Sequence, residues 1–104
     1  MNVSGTVVEA ESGRPLKGLR VRAFDKDLVF DDDLGECVTD AAGRFEVRFT
    51  EAQYRDWSET APDLYIRVFD ASGERLLYTT EQAPRMNGAV QETFEVRISA
   101  ARLR

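Results

Sequence analysis

A two-sheet antiparallel β-sandwich of seven strands is the fold this sequence predicts, on three observations. Apolar residues recur with period two in several short segments. Turn-forming clusters separate those segments at regular intervals. Leu, Ile, Val and Phe make up a quarter of the 104 residues, above the composition of a disordered chain, so a core can form. The length suits one domain, residues 1–104.

The elements follow in order. A first strand fits residues 2–9, with Val3, Val7 and Val8 as its apolar positions. A second fits 19–25, where Leu19, Val21 and Ala23 alternate with Arg20, Arg22 and Phe24, and a short third fits 36–39. Residues 44–49 give the clearest alternation: Phe45, Val47 and Phe49 face one way, and Arg44, Glu46 and Arg48 the other. Residues 64–69 set Leu64, Ile66 and Val68 against Tyr65, Arg67 and Phe69. A weaker strand fits 75–80, and a long one 90–99 buries Phe94, Val96 and Ile98. Between them lie Glu11-Ser12-Gly13-Arg14-Pro15, Asp40-Ala41-Ala42-Gly43 and Asp70-Ala71-Ser72-Gly73, each with turn residues suited to positive or preset φ. Thr50-Glu51-Ala52-Gln53 is a capping box and predicts one short helix over 51–58, with Tyr54 and Trp57 on one face as a packing clamp.

Composition excludes much chemistry. The chain has no histidine, which removes His-based triads, His-ligated zinc and imidazole acid–base catalysis. One cysteine, Cys37, cannot form an internal disulfide and reads as a packed residue. No run approaches the ~18 apolar residues of a membrane span, and Met1 leads into strand-like sequence without a basic and apolar leader. The compartment is left open: the cytoplasm, or a larger or exported assembly. The formal charge is -5, and residues 25–36 carry all of that excess, six carboxylates against Lys26. The arginines alternate with acids instead of clustering, so nucleic acid is not an expected partner.

Val3-Ser4-Gly5-Thr6-Val7, Ser12-Gly13-Arg14-Pro15-Leu16-Lys17-Gly18-Leu19-Arg20-Val21 and Thr39-Asp40-Ala41-Ala42-Gly43-Arg44-Phe45 together resemble the transthyretin-like and carboxypeptidase regulatory-like superfamily. The shared outline is G-x-V, G-x-P-L-x-G-x-x-V and T-D-x-x-G-x-F, over about residues 3–49. Phe24-Asp25-Lys26-Asp27 followed by Asp31-Asp32-Asp33-Leu34-Gly35-Glu36 is similar to the transthyretin-like proteins of nematodes and their bacterial relatives. The resemblance implies a seven-stranded prealbumin-like sandwich and no single activity. Hydroxyisourate hydrolases of this superfamily need histidines and a Tyr-Arg-Gly-Ser terminus, whereas this sequence has no histidine and ends Ala101-Arg102-Leu103-Arg104. Intradiol dioxygenases bind iron through Tyr and His, and metallocarboxypeptidase chemistry belongs to a separate domain. No catalytic residue carries over, and the expectation is a chain that is not an enzyme.

Asp25, Asp27, Asp31, Asp32 and Asp33 are the candidate site. Five carboxylates within nine residues suit calcium, which takes six to eight oxygen ligands from irregular loops. The stretch Val21–Glu36 also looks like a calcium loop of synaptotagmin-type phospholipid-binding modules. The alternative is that Asp25 and Asp27 cap turn N–H groups or pair with arginines while Asp31–Asp33 shape a solvated loop, or that the run is an acidic docking patch for a basic partner. Glu9 with Glu11, and Glu92 with Glu95, suit strand exteriors better than paired catalytic carboxylates. The functional expectation is a non-catalytic protein-binding, adaptor or structural module without a cofactor. A calcium-responsive binding domain is the alternative, and an open edge strand offers a route to a homodimer.

Overall fold

The computed structural model describes residues 1–27, 30–50, 62–86 and 88–104. The helix expected over 51–58, with Tyr54 and Trp57, lies outside the described residues. Seven described strands form: β1 (Asn2–Glu9), β2 (Arg20–Asp25), β3 (Asp32–Val38), β4 (Arg44–Arg48), β5 (Leu64–Phe69), β6 (Leu76–Thr79) and β7 (Gln91–Ile98). A 3-10 helix at Ala100–Leu103 follows. The strands make two sheets, as the sequence predicts, and the sheets are ordered β4-β1-β7 and β3-β2-β5-β6.

One pairing departs from the antiparallel expectation. β1 and β7 run parallel along their whole length, from Asn2 opposite Gln91 to Glu9 opposite Ile98. A hairpin forces its strands antiparallel, but these are the first and last strands, and everything between them serves as the crossover that a parallel pair needs.

The core lies between the sheets. Val3, Val7, Phe45, Val47, Phe94, Val96 and Ile98 come from one side; Val21, Ala23, Leu34, Leu64, Ile66, Val68 and Leu77 come from the other. Gly5 interrupts the inward row of β1 for a steric reason. It stands in register with Phe45 on one flank and Phe94 on the other. A Cβ there would overlap the Phe94 carbonyl oxygen and lie 3.1 Å from the Phe45 ring. The Phe94 backbone and the Phe45 ring take up the space that the glycine leaves.

The sequence motifs around residues 13–21 and 39–45 form one clamp. The Thr39 hydroxyl, buried beneath them, donates to the Leu16 carbonyl at 2.6 Å and accepts from the Leu19 N–H at 3.0 Å. Asp40 Oδ1 accepts from the N–H groups of Ala42 and Arg44, both at 2.9 Å, closing the Asp40–Gly43 turn. Gly43 takes φ +74, and a Cβ on it would stand 2.5 Å from the Val7 carbonyl oxygen. That turn therefore packs directly on β1, and only glycine fits it.

The third strand starts earlier than the period-two pattern predicts, at Asp32 instead of residue 36. The ladder continues because a bulge at Leu34 lets two consecutive residues serve one position: Ala23 pairs with Gly35, and Phe24 with Asp33. Leu34 turns fully into the core while Asp33 is exposed on the other side. Gly35, at φ +127, supplies the backbone conformation the bulge requires.

Candidate functional site

The acidic run is not one loop. Asp25 ends β2, Asp32 and Asp33 begin β3, and only Asp27 and Asp31 lie in the connection. Asp25 stands opposite Asp32 in the ladder. It is buried, and its Oδ1 accepts the Asp63 N–H at 2.8 Å. Asp31 Oδ1 accepts the Asp27 N–H at 3.0 Å, and Asp33 Oδ1 accepts the Gly35 N–H at 2.9 Å. These are turn-capping roles, the alternative that the sequence left beside calcium. Among the described residues, no group of three or more His, Cys, Asp or Glu side chains is arranged to hold a metal ion.

Asp31 anchors a larger network on the outer face of the four-stranded sheet. Phe24 and Tyr65, directly opposite on β2 and β5, stack with centroids 5.1 Å apart and ring planes at 14°. The Tyr65 hydroxyl donates a short hydrogen bond to Asp31 Oδ2. The Arg67 guanidinium lies 4.9 Å from the Phe24 ring centroid and 5.6 Å from that of Tyr65, while Lys26 Nζ sits 5.7 Å from the latter. Glu81 joins both cations, at 2.6 Å from Arg67 and 3.4 Å from Lys26. Farther along the sheet, Arg20 and Arg22 pair with Glu36 at 3.4 and 3.2 Å.

The electrostatics follow this geometry. Burial pushes the Asp31 carboxyl up, but the Asp27 N–H, the Tyr65 hydroxyl and the charges of Lys26 and Arg67 outweigh it and hold the group below the usual carboxylate range. Burial, reinforced by the Asp31 hydrogen bond, drives the Tyr65 phenol well above its ordinary value. The Arg67 hydrogen bond holds Glu81 low against the cost of burial. This network ties Lys26 and Asp31, on either side of the β2–β3 connection, to Tyr65 and Glu81, with Lys26 and Arg67 matched by Asp31 and Glu81.

Three of the four remaining carboxylate candidates hold structure. Glu9 accepts from Ser12 at 2.9 Å and Arg14 at 3.1 Å, and Glu11 accepts the Ala100 N–H at 2.9 Å. Glu92 accepts from Arg85 and from the Ala89 N–H, while Glu95 stands exposed on β7. Cys37 is half-buried against the core.

An apolar feature lies at the same end of the sandwich as the acidic run. Phe30 is 82% exposed, and Met86 and Val90 are each 66% exposed. Backbone bonds bring their segments together: Lys26 N–H to Asp63, Leu64 N–H to Arg85, Gly88 N–H to Pro62, and Asn2 N–H to Val90. The signal in the sequence was the apolar run Leu28-Val29-Phe30 set between Asp27 and Asp31. Loop residues carry no periodicity, so Met86 and Val90 left no such trace.

No protein-family model matches the chain, and no curated protein is similar to it. Among solved structures, it is similar to the crystal structure of a 9R-lipoxygenase from Cyanothece PCC8801, at 25% identity and a TM-score of 0.69. That similarity takes in 91% of this chain but only 16% of the lipoxygenase chain. It identifies the β-sandwich fold as one found within a much longer chain.

Proposed function

We propose that this is a non-catalytic protein-binding module of transthyretin-like type that docks through the loop end carrying Phe30, Met86 and Val90. The observation that carries the reading is that Phe30, Met86 and Val90, all largely exposed, lie in loops at one end of the sandwich, the end that carries the acidic run. Large exposed apolar groups rimmed by charge mark interaction surfaces more often than solvent-facing ones. The fitting partner is a protein segment with basic residues around apolar anchors. Two further points support the reading. Seven strands in two sheets are what the transthyretin-like resemblance implies, and a small fraction of a long lipoxygenase chain has the same fold, as an accessory module would.

The test is affinity capture from native lysate with wild type and two triple or double variants. Phe30→Ser, Met86→Ser and Val90→Ser combined should abolish recovery of a stoichiometric partner. Val38→Ser with Leu76→Ser, at the opposite end, should leave it unchanged. Equal recovery by both variants would remove the loop end from the proposal.

The calcium reading requires more rearrangement. The aspartates an ion would draw on already accept hydrogen bonds, Asp31 from Tyr65 and Asp27, Asp33 from Gly35, and Asp25 from Asp63.

A further inference from the structure

A cleft of about 340 Å³ lies between β7 and the end of β6 with the segment that follows it. That is the small end of the range for ligand pockets. Part of its wall is fixed by bonds already made. The Arg85 guanidinium lies 3.9 Å from the Phe94 ring centroid and donates to Glu92 Oε1 at 3.0 Å, so its charge is matched. The Thr79 hydroxyl donates to the Ile66 carbonyl at 2.9 Å, and the Thr80 hydroxyl accepts the Ile66 N–H at 3.0 Å. Glu81, next to them in the chain, is engaged by Arg67 and Lys26.

Three other lining residues, Tyr78, Gln82 and Glu95, are unengaged: among the described residues their side chains have no hydrogen-bond or ion-pair partner. The backbone adds an acceptor. The carbonyls of Val90 and Ile98 turn toward β1, where they accept from Asn2 and Ala10. By alternation the Glu95 carbonyl faces the other edge of β7. The one unmatched charge on the lining residues is therefore negative. Around it stand a backbone carbonyl, an amide oxygen and a phenol with its ring, groups that accept from a cation or face one. An anion would meet the Glu95 carboxylate with no unmatched cation to hold it. A purely apolar group would take water from these acceptors and return no hydrogen bond.

We propose that this cleft receives one basic side chain, lysine or arginine, of the protein partner. The inference rests on the docking proposed above, and Met86 of that loop end directly follows Arg85 on the cleft wall. The ammonium or guanidinium group donates to the Glu95 carboxylate, to the Glu95 carbonyl and to the Gln82 amide oxygen, with the Tyr78 ring beside it. The acidic run attracts basic residues only as a diffuse field, whereas the cleft selects one of them by position.

Heteronuclear NMR of the isotopically labelled whole chain tests the cleft, by titration with acetyl-lysine amide, acetyl-arginine amide and neutral acetyl-norleucine amide at constant ionic strength. The backbone signals of Tyr78, Gln82 and Glu95 should shift saturably with either basic probe, with dissociation constants on the order of millimolar, and should stay in place with the neutral one. Glu95→Gln should weaken that binding by about fivefold or more, while Glu74→Gln, an exposed position at the opposite end, should leave it unchanged. A cooperative thermal transition at the wild-type midpoint shows that each variant is folded. No shift at the three residues, equal shifts with the neutral probe, or an affinity indifferent to Glu95→Gln would overturn the proposal. In the lysate capture, Glu95→Gln should recover less partner than wild type; undiminished recovery would make the cleft a site for a free small cation and overturn its part in docking. The titration uses no partner, so its failure removes the cleft alone, whereas a wild type that captures nothing removes the docking reading and with it the source of the cation.

Discussion

Tyr65 shows how one residue ties the core to the surface. Its ring completes the outer-face stack with Phe24, and its hydroxyl holds the β2–β3 connection through Asp31. Tyr65→Phe keeps the ring and removes only the bond. The expected cost is about 1–2 kcal/mol at neutral pH, read as a lower urea midpoint at unchanged slope, because the acceptor is charged and partly reachable by water. The pH dependence has a definite sign. Asp31 is depressed in the fold, so its contribution is present above the unfolded value of 3.8 and is lost as pH falls through the lower, folded one. The difference between wild type and Tyr65→Phe should therefore shrink on acidification below about pH 4. Tyr65 was legible in the sequence only as the outward member of an alternating pair. Its partner Asp31 is 34 residues away, and no local rule connects them.

At the scale of elements, the motif residues prove to be the joints between strands. Thr39 satisfies a donor and an acceptor from the preceding loop, and its own backbone pairs with Leu19 and Gly18. Thr39→Val keeps the shape but leaves the Leu19 N–H and the Leu16 carbonyl without that hydroxyl. Chemical denaturation should show a loss of about 2 kcal/mol, with Thr39→Ser recovering most of it. Strand positions at 2–9, 44–48 and 64–69 were legible because burial of one face imposes period two on the residues. β3 was half hidden, since a bulge shifts the phase of that alternation at Leu34. Its leading residues, Asp32 and Asp33, belong to residue types that strands ordinarily avoid.

For the whole molecule, charge separation is the dominant feature. The net -5 resides in residues 25–36, yet the fold distributes those carboxylates among capping bonds and ion pairs instead of converging them on one point. Thermal unfolding in EDTA, in millimolar calcium and in millimolar magnesium should accordingly give the same midpoint within a degree or two. A ligand at a hundred times its dissociation constant would add about 2.7 kcal/mol, on the order of 10 °C or more for a domain of this size. A calcium-selective rise of that magnitude would make the aspartates a metal site.

The sequence by itself determined the class of fold, the number of strands, the turns that join them and the lack of histidine chemistry. Those properties follow from local periodicity, local backbone preference and composition, all of which are written in consecutive residues. Only the tertiary structure decided the parallel pairing of the first and last strands, the engagement of each aspartate and the apolar loop end. Each of these depends on residues distant in the chain meeting in space, and which of them meet is fixed by packing two sheets around a common core.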